Sequence, residues 1–309
     1  MGPTDVARSL LLSASRNRLL NAAATKYGLR LGARRFVAGE TLDEFVPIAR
    51  ALNARGFSIA STILGEGVTS EEDTLAAVAE YRTLLDRIAA EGLGANVALK
   101  LTHLGLAIDE QLAERNILEL VEHARFRGNF VRIDMEESAH VDATLRLYRA
   151  LRGRGFENVG VVLQAYLYRT EADLDALLPL RPNLRLVKGA YLESSAVAYP
   201  RKADVDAAYK RLIERALRGA PYCGIATHDE DAMAHTIAFA QANDLKPDER
   251  FEFQMLYGVR PKLQSRLIRK GYPVRIALPF GRAWFPFFMR RLAERPANVA
   301  FILGNLMKD

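Results

Sequence analysis

One cysteine, Cys223, stands in 309 residues. That excludes an internal disulfide and any cluster built on several thiolates, and it points to a reducing compartment, the cytoplasm. Histidine is nearly as scarce. His103, His123, His140, His228 and His235 contain no HxH pair, so no metal centre is expected. No apolar run reaches the roughly 18 to 20 residues that span a bilayer. Also absent are a G-x-G-x-x-G turn, a G-x-x-x-x-G-K-[ST] loop and a G-x-S-x-G elbow, which argues against Rossmann, P-loop and serine-hydrolase chemistry. There is no basic tract interleaved with aromatics, so nucleic acid is not an expected partner. No Pro/Ser/Gly-rich linker, low-complexity stretch or repeat divides the chain.

What is present is a soluble globular composition, 50% hydrophobic and 26% charged, with a net charge of +6 that favours anionic ligands or contact with a membrane surface. The N-terminal stretch has Arg8, Arg16 and Arg18 but no secretory-type apolar core, and it reads as ordinary helices. From residue 57 onward, short β-rich runs alternate with amphipathic stretches. The runs are Phe57–Leu64, Asn96–Thr102, Asn129–Met135, Val159–Ala165, Leu184–Gly189, Tyr222–Thr227, Phe251–Leu256 and Pro273–Leu278. Eight alternations predict an α/β chain folded as a (β/α)8 TIM-type barrel, somewhat distorted. Residues 1–309 are read as a single domain: accessory helices to about residue 50, then the barrel, then a C-terminal helix over its mouth.

Barrel enzymes place their chemistry at the C-terminal ends of the strands. Those ends carry Glu66 after strand one, Lys100 on strand two and Asp134 ending strand three. They also carry Gln164 on four, Arg185 and Lys188 on five, Thr227-His228-Asp229 after six and Gln254 on seven. Polar groups are costly to bury without partners, so this many together imply a large polar ligand over the mouth. The final helical stretch, Trp284 to Pro296, sets Phe287, Arg290, Arg291 and Glu294 at i, i+3, i+4 and i+7. One face thereby offers an aromatic plate beside two guanidiniums, a fork that suits a carboxylate. Lys100 and Lys188 also fit a Schiff-base barrel lyase by position. The glycine after Lys188 favours close approach to a cofactor instead. The residue set suits phosphate, ribityl and isoalloxazine contacts.

The chain resembles the monofunctional proline dehydrogenases, flavoprotein barrels of proline catabolism. The resemblance runs through Leu64-Gly65-Glu66, Leu99-Lys100-Leu101, Val131 to Glu136, Val162 to Tyr166 and Arg185 to Tyr191. It continues through Ala226 to Asp229, Phe253 to Gly258 and Arg290 to Pro296. Each piece is modestly specific; their order and spacing are highly so. The resemblance implies FAD across the barrel mouth, L-proline oxidised to Δ1-pyrroline-5-carboxylate by hydride transfer to the flavin N5, and electrons passed to a quinone. It implies Arg290, Arg291 and Lys100 around the substrate carboxylate, with Glu294 orienting an arginine or touching the flavin. Glu66 would pair with Arg291 to shut the site, and Asp134 would act near Lys100 by position and charge. Leu256 and Tyr191 would wall the substrate or flavin. FAD contacts fall on Gln164, Arg185, Val187, Lys188, Gly189, Ala190, Thr227, His228 and Gln254, with Tyr199 and Lys202 toward the adenine or phosphates.

Two positions depart from the family. Ala277 and Phe287 stand where it usually has tyrosine. A missing ring at Ala277 opens space for 4-hydroxyproline or another cyclic imino acid, and removing a wall costs on the order of 1–3 kcal/mol in discrimination. A catalytically silent ligand-binding protein is a further alternative. The expected location is cytoplasmic with possible peripheral membrane contact, and the chain's length implies a separate pyrroline-5-carboxylate dehydrogenase downstream.

Overall fold

The computed structural model describes residues 33–65 and 68–285. Eight parallel strands close into a barrel in chain order, β1 against β8 completing the ring. They are β1 (Ser58–Ile63), β2 (Ala95–Leu99), β3 (Val131–Ile133), β4 (Val159–Gln164), β5 (Asn183–Val187), β6 (Tyr222–Ala226), β7 (Phe251–Leu256) and β8 (Val274–Phe280). Helix α1 (Leu42–Asn53) precedes β1. The others follow β1 to β7 in turn: α2 (Glu71–Ala90), α3 (Glu110–Phe126), α4 (Val141–Gly153), α5 (Thr170–Leu177), α6 (Lys202–Gly219), α7 (Glu230–Ala242) and α8 (Pro261–Arg269). The expected fold is therefore the observed one. The expected helices over the first residues, and the one bearing Arg290 and Arg291, lie outside the described residues.

Local chemistry starts these helices where the sequence marks them. Ser70 and Asp73 form a reciprocal capping box on α2, and Asp109 caps α3 by accepting from the Leu112 N–H at 3.0 Å. Pro261 opens α8, where its missing N–H costs nothing. On α2, Ala77, Val78, Tyr81, Leu84, Leu85 and Ile88 form the buried stripe, the spacing of a helix that packs one face on a sheet.

The strands divide their residues between two different environments. Ile59, Val97, Val131, Val161, Leu184, Cys223, Phe251, Phe253 and Ile276 are fully buried and belong to the hydrophobic core beneath the helices. Alternation turns the intervening residues into the barrel. Those are Asn96, Arg132, Asn183, Arg185, Tyr222, Glu252, Gln254 and Arg275, and registers such as Arg185↔Gly224, Gly224↔Glu252 and Gln254↔Arg275 set them in layers. Glycine makes room for them. A Cβ at Gly160 would meet Arg132 Nη1 at 2.3 Å and the Asn183 carbonyl at 2.5 Å; one at Gly224 would meet Gln254 Nε2 at 2.3 Å.

Three expected positions shift slightly. Lys100 and Lys188 lie one residue beyond β2 and β5, in the connections at the mouth, because the strands end at Leu99 and Val187. Asp134 likewise follows β3, although its N–H still bonds to the Leu99 carbonyl at 2.8 Å.

Gly160→Ala crowds a buried arginine against strand backbone, so a loss of roughly 1–3 kcal/mol is expected. Thermal unfolding measures it, and a variant that melts with the wild type would show that Arg132 is not packed as described.

Candidate active site

Arg185 organises the centre of the mouth. It is 8% exposed and projects inward from β5. Its Nη1 donates to Asp134 Oδ1 at 2.6 Å and its Nε to Gln254 Oε1 at 2.5 Å. The remaining nitrogen, Nη2, has no partner among the described residues and is available to a ligand. Burial makes this cation harder to maintain; Asp134 and then Glu252 work to keep it charged. Asp134 was expected near Lys100. The structure joins it to Arg185, because its position one residue past β3 brings the carboxylate across to β5.

A second group of contacts lies beside this pair. Glu136, 4% exposed, accepts from the Thr102 N–H at 3.0 Å and from its hydroxyl at 2.5 Å. Burial raises its pKa, while Thr102 and the Lys100 charge act to lower it. The Glu136 carbonyl accepts from Gln164 Nε2 at 2.8 Å. That bond assigns the amide's orientation and leaves Gln164 Oε1 as an acceptor without a partner among the described residues. The mouth therefore presents a cationic donor and a neutral acceptor, with Lys100 on the connection after β2.

The connection after β5 packs its backbone directly onto the Tyr166 ring. Gly189 has φ +118°, and a Cβ there would come within 2.2 Å of the Tyr166 ring. Neither condition tolerates a side chain. Lys188 and Ala190 flank it, Val187 ends the strand before it, and Tyr191 beyond it is 6% exposed. Glu193 ties this loop to the one after β3, accepting from the Ser138 N–H and hydroxyl at 2.6 Å each. Tyr199 packs edge-on against Tyr168 at 4.6 Å. Lys202, at the start of α6, is exposed and pairs with Asp206.

Lys188 is where a covalent lysine would have to be, and the structure argues against that use. Its Nζ lies 2.5 Å from Asp206 and 2.6 Å from Asp229. Burial opposes its charge, but the hydrogen bonds to Asp206 and Asp229 outweigh that and raise its pKa. An ammonium held protonated is no nucleophile. Asp229 does double duty, since its other oxygen caps α7 through the Asp231 N–H at 3.0 Å.

At the far rim, Thr227 Oγ1 accepts from the Asp229 N–H at 3.0 Å, and His228 Nε2 accepts from the Leu256 N–H at 3.0 Å. Burial, with Arg260 second, pushes His228 down to about 4. The ring is neutral near pH 7, so His228 brings no positive charge to the rim. Leu256 itself is 51% exposed, an apolar side chain left open at the mouth, and Ala277 pairs with it in register on β8.

Of the expected site residues, Lys100, Asp134, Gln164, Arg185, Thr227, His228, Gln254 and Leu256 gather at strand ends. Val187, Lys188, Gly189, Ala190 and Tyr191 line the loop after β5. Glu66, Phe287, Arg290, Arg291 and Glu294 lie outside the described residues. Sequence reasoning gave no role to Glu136, Thr102, Glu252, Arg132 or Arg275. A signal existed for several of them: a charge between two apolar strand residues, as in Val131-Arg132-Ile133 and Phe251-Glu252-Phe253, marks an inward position.

A closed (β/α)8 barrel supports many chemistries through the residues at its mouth. The profile described as proline dehydrogenase matches residues 46–303. Proline dehydrogenase 1 of Bacillus subtilis (strain 168) is 42% identical over 301 residues, spanning 97% of this chain and 99% of that protein. Proline dehydrogenase of Deinococcus radiodurans is 41% identical over 280 residues, spanning 89% of this chain and 90% of that protein. Proline utilization A (PutA) of Bdellovibrio bacteriovorus, in a structure inactivated by N-propargylglycine, superposes with a TM-score of 0.83 at 24% identity, over 94% of this chain and 36% of that one. The chain belongs to the proline dehydrogenase family and is an oxidoreductase. No helix among the described residues is long and apolar enough to cross a membrane.

The depressed His228 has a consequence for stability. An unfolded histidine titrates near its ordinary value of 6.5 and the folded ring near 4. Between those values the unfolded chain binds more protons, so stability falls as pH drops through that window. His228→Gln should remove that part of the acid-side slope of melting temperature against pH. An unchanged slope would mean the ring is not held neutral.

Proposed function

We propose that this protein oxidises L-proline to Δ1-pyrroline-5-carboxylate using FAD, in proline catabolism, with a quinone as the final electron acceptor. The observation that supports the reading is the donor set at the mouth: Nη2 of a buried Arg185 and Oε1 of Gln164, neither of which has a partner among the described residues. A flat ring with an imide N–H and carbonyl oxygens suits that set, and Thr227 and His228 would hold the polar chain of such a group. When bound, FAD would take up the hydride at N5 and pass the electrons to quinone.

The chain's own residues do the remainder. Arg185 would place positive charge beside the ring, where the charge that develops during the reaction is negative. Arg290, Arg291 and Lys100 would fix the substrate carboxylate, and Leu256 and Tyr191 would press its ring flat. Glu66 and Glu294 would orient the arginines and exclude water. The alternating faces of β8 put Ala277 on the side of Arg275, and its half-buried position leaves the wall low there. That observation favours a second reading, the same chemistry on 4-hydroxyproline. The product imine would pass to a separate dehydrogenase, and the electrons to quinone at a membrane surface.

Anaerobic addition of L-proline should bleach the visible flavin absorbance. A flavin-loaded protein that neither proline nor trans-4-hydroxy-L-proline bleaches would sink this reading, and a purified protein that takes up no flavin would sink its cofactor. Ala277→Tyr should lower kcat/KM for hydroxyproline relative to proline by roughly tenfold or more. Steady-state kinetics with both substrates measures it, and an unchanged ratio would remove Ala277 from substrate choice.

A further inference from the structure

Below the mouth, the inward residues form one connected chain. Asp134 holds Arg185, Arg185 Nε donates to Gln254 Oε1, and Gln254 Nε2 donates to Glu252 Oε1 at 2.7 Å. The same Glu252 oxygen accepts from Arg275 Nε at 2.6 Å. Glu252 is 3% exposed and lies two residues before Gln254 on β7, in register through Gly224 with Arg185. Arg132, further round the barrel, is held separately by the Asn183 carbonyl at 2.7 Å.

Gln254 is the link that matters. An amide has an oxygen end and a nitrogen end of nearly equal size, and nothing in its shape decides which points up. Reversed, it would set its NH2 against the Nε–H of Arg185, donor against donor, inside a buried site. An acceptor below Gln254 removes the ambiguity, and Glu252 is that acceptor. The Arg185 plane is then fixed at two points, Nε and Nη1, and its third nitrogen points where the site needs it. We propose that Glu252 is a positioning residue for proline oxidation, acting through Gln254 to fix the Arg185 guanidinium at the barrel mouth. The inference rests on the reading of FAD and proline given above.

A role confined to balancing Arg275 would affect folding and leave Arg185 alone, so the test reads Arg185. In cofactor-free wild type, the Arg185 Nε–H should exchange slowly with solvent in arginine side-chain NMR. In Glu252→Gln, whose neutral amide no longer fixes the orientation of Gln254, exchange should speed up by about tenfold or more. In the flavin-loaded variant, the anaerobic bleaching rate should fall roughly 10- to 100-fold, with the half-saturating proline concentration within about threefold of wild type. A folded variant with wild-type exchange and wild-type bleaching overturns the proposal. If Glu252→Gln does not fold, the pair Glu252→Gln with Arg275→Gln removes both partners of the ion pair together. The same losses are expected from it, and wild-type behaviour overturns the proposal. Fast Nε–H exchange in the wild type overturns it without any variant. Wild-type protein that proline fails to bleach sinks the proposed function. Slow exchange that survives both substitutions sinks only this inference.

Discussion

The structure depends on one arrangement, a column of charge sealed inside a ring of strands. Arg132, Arg185 and Arg275 face Asp134 and Glu252 in a space that most barrels fill with branched aliphatic side chains. A lone buried charge is unstable there, and removing one partner of a buried pair costs on the order of 3–5 kcal/mol. Each guanidinium is accordingly engaged: Arg185 by Asp134 and Gln254, Arg275 by Glu252 and the Ile59 carbonyl, Arg132 by Asn183 and the Val161 carbonyl. Gly160 makes room for Arg132, and Gly224 for Gln254.

The mouth inherits its geometry from that column. Arg185 is held at Nε by Gln254 and at Nη1 by Asp134. The rim follows the same economy. Asp229 caps α7 with one oxygen and holds Lys188 with the other, so a helix start and a mouth cation share one residue. Glu136 gathers the turn after β2 with its carboxylate and orients Gln164 with its carbonyl. Groups that hold the fold together and groups that line the mouth are often the same groups.

His228 and Lys188 show how tertiary contacts change the meaning of a residue type. A histidine near a site suggests a cation for a phosphate, yet burial keeps this one neutral and its Nε2 accepts a backbone N–H. A lysine at a strand end suggests a nucleophile, yet two carboxylates keep this one protonated.

The strands and helices were legible in the sequence because hydrophobic periodicity is local. A run such as Phe251–Leu256, bounded by polar residues, declares a strand without reference to anything distant, and the structure places β7 on those same residues. The eight alternations likewise predicted the barrel, and reading its strand ends put Arg185, Gln164 and Gln254 at the mouth. Glu252 and Glu136 were visible letters without an assigned role. Their partners, Gln254 with Arg275 and Thr102 with Gln164, come from other strands and turns, and only closure of the ring brings them within hydrogen-bond reach. Residue types and their alternation determined which groups point inward. Which inward groups meet, which way an amide turns, and whether a histidine carries charge are set by distance and desolvation, and those belong to the folded barrel alone.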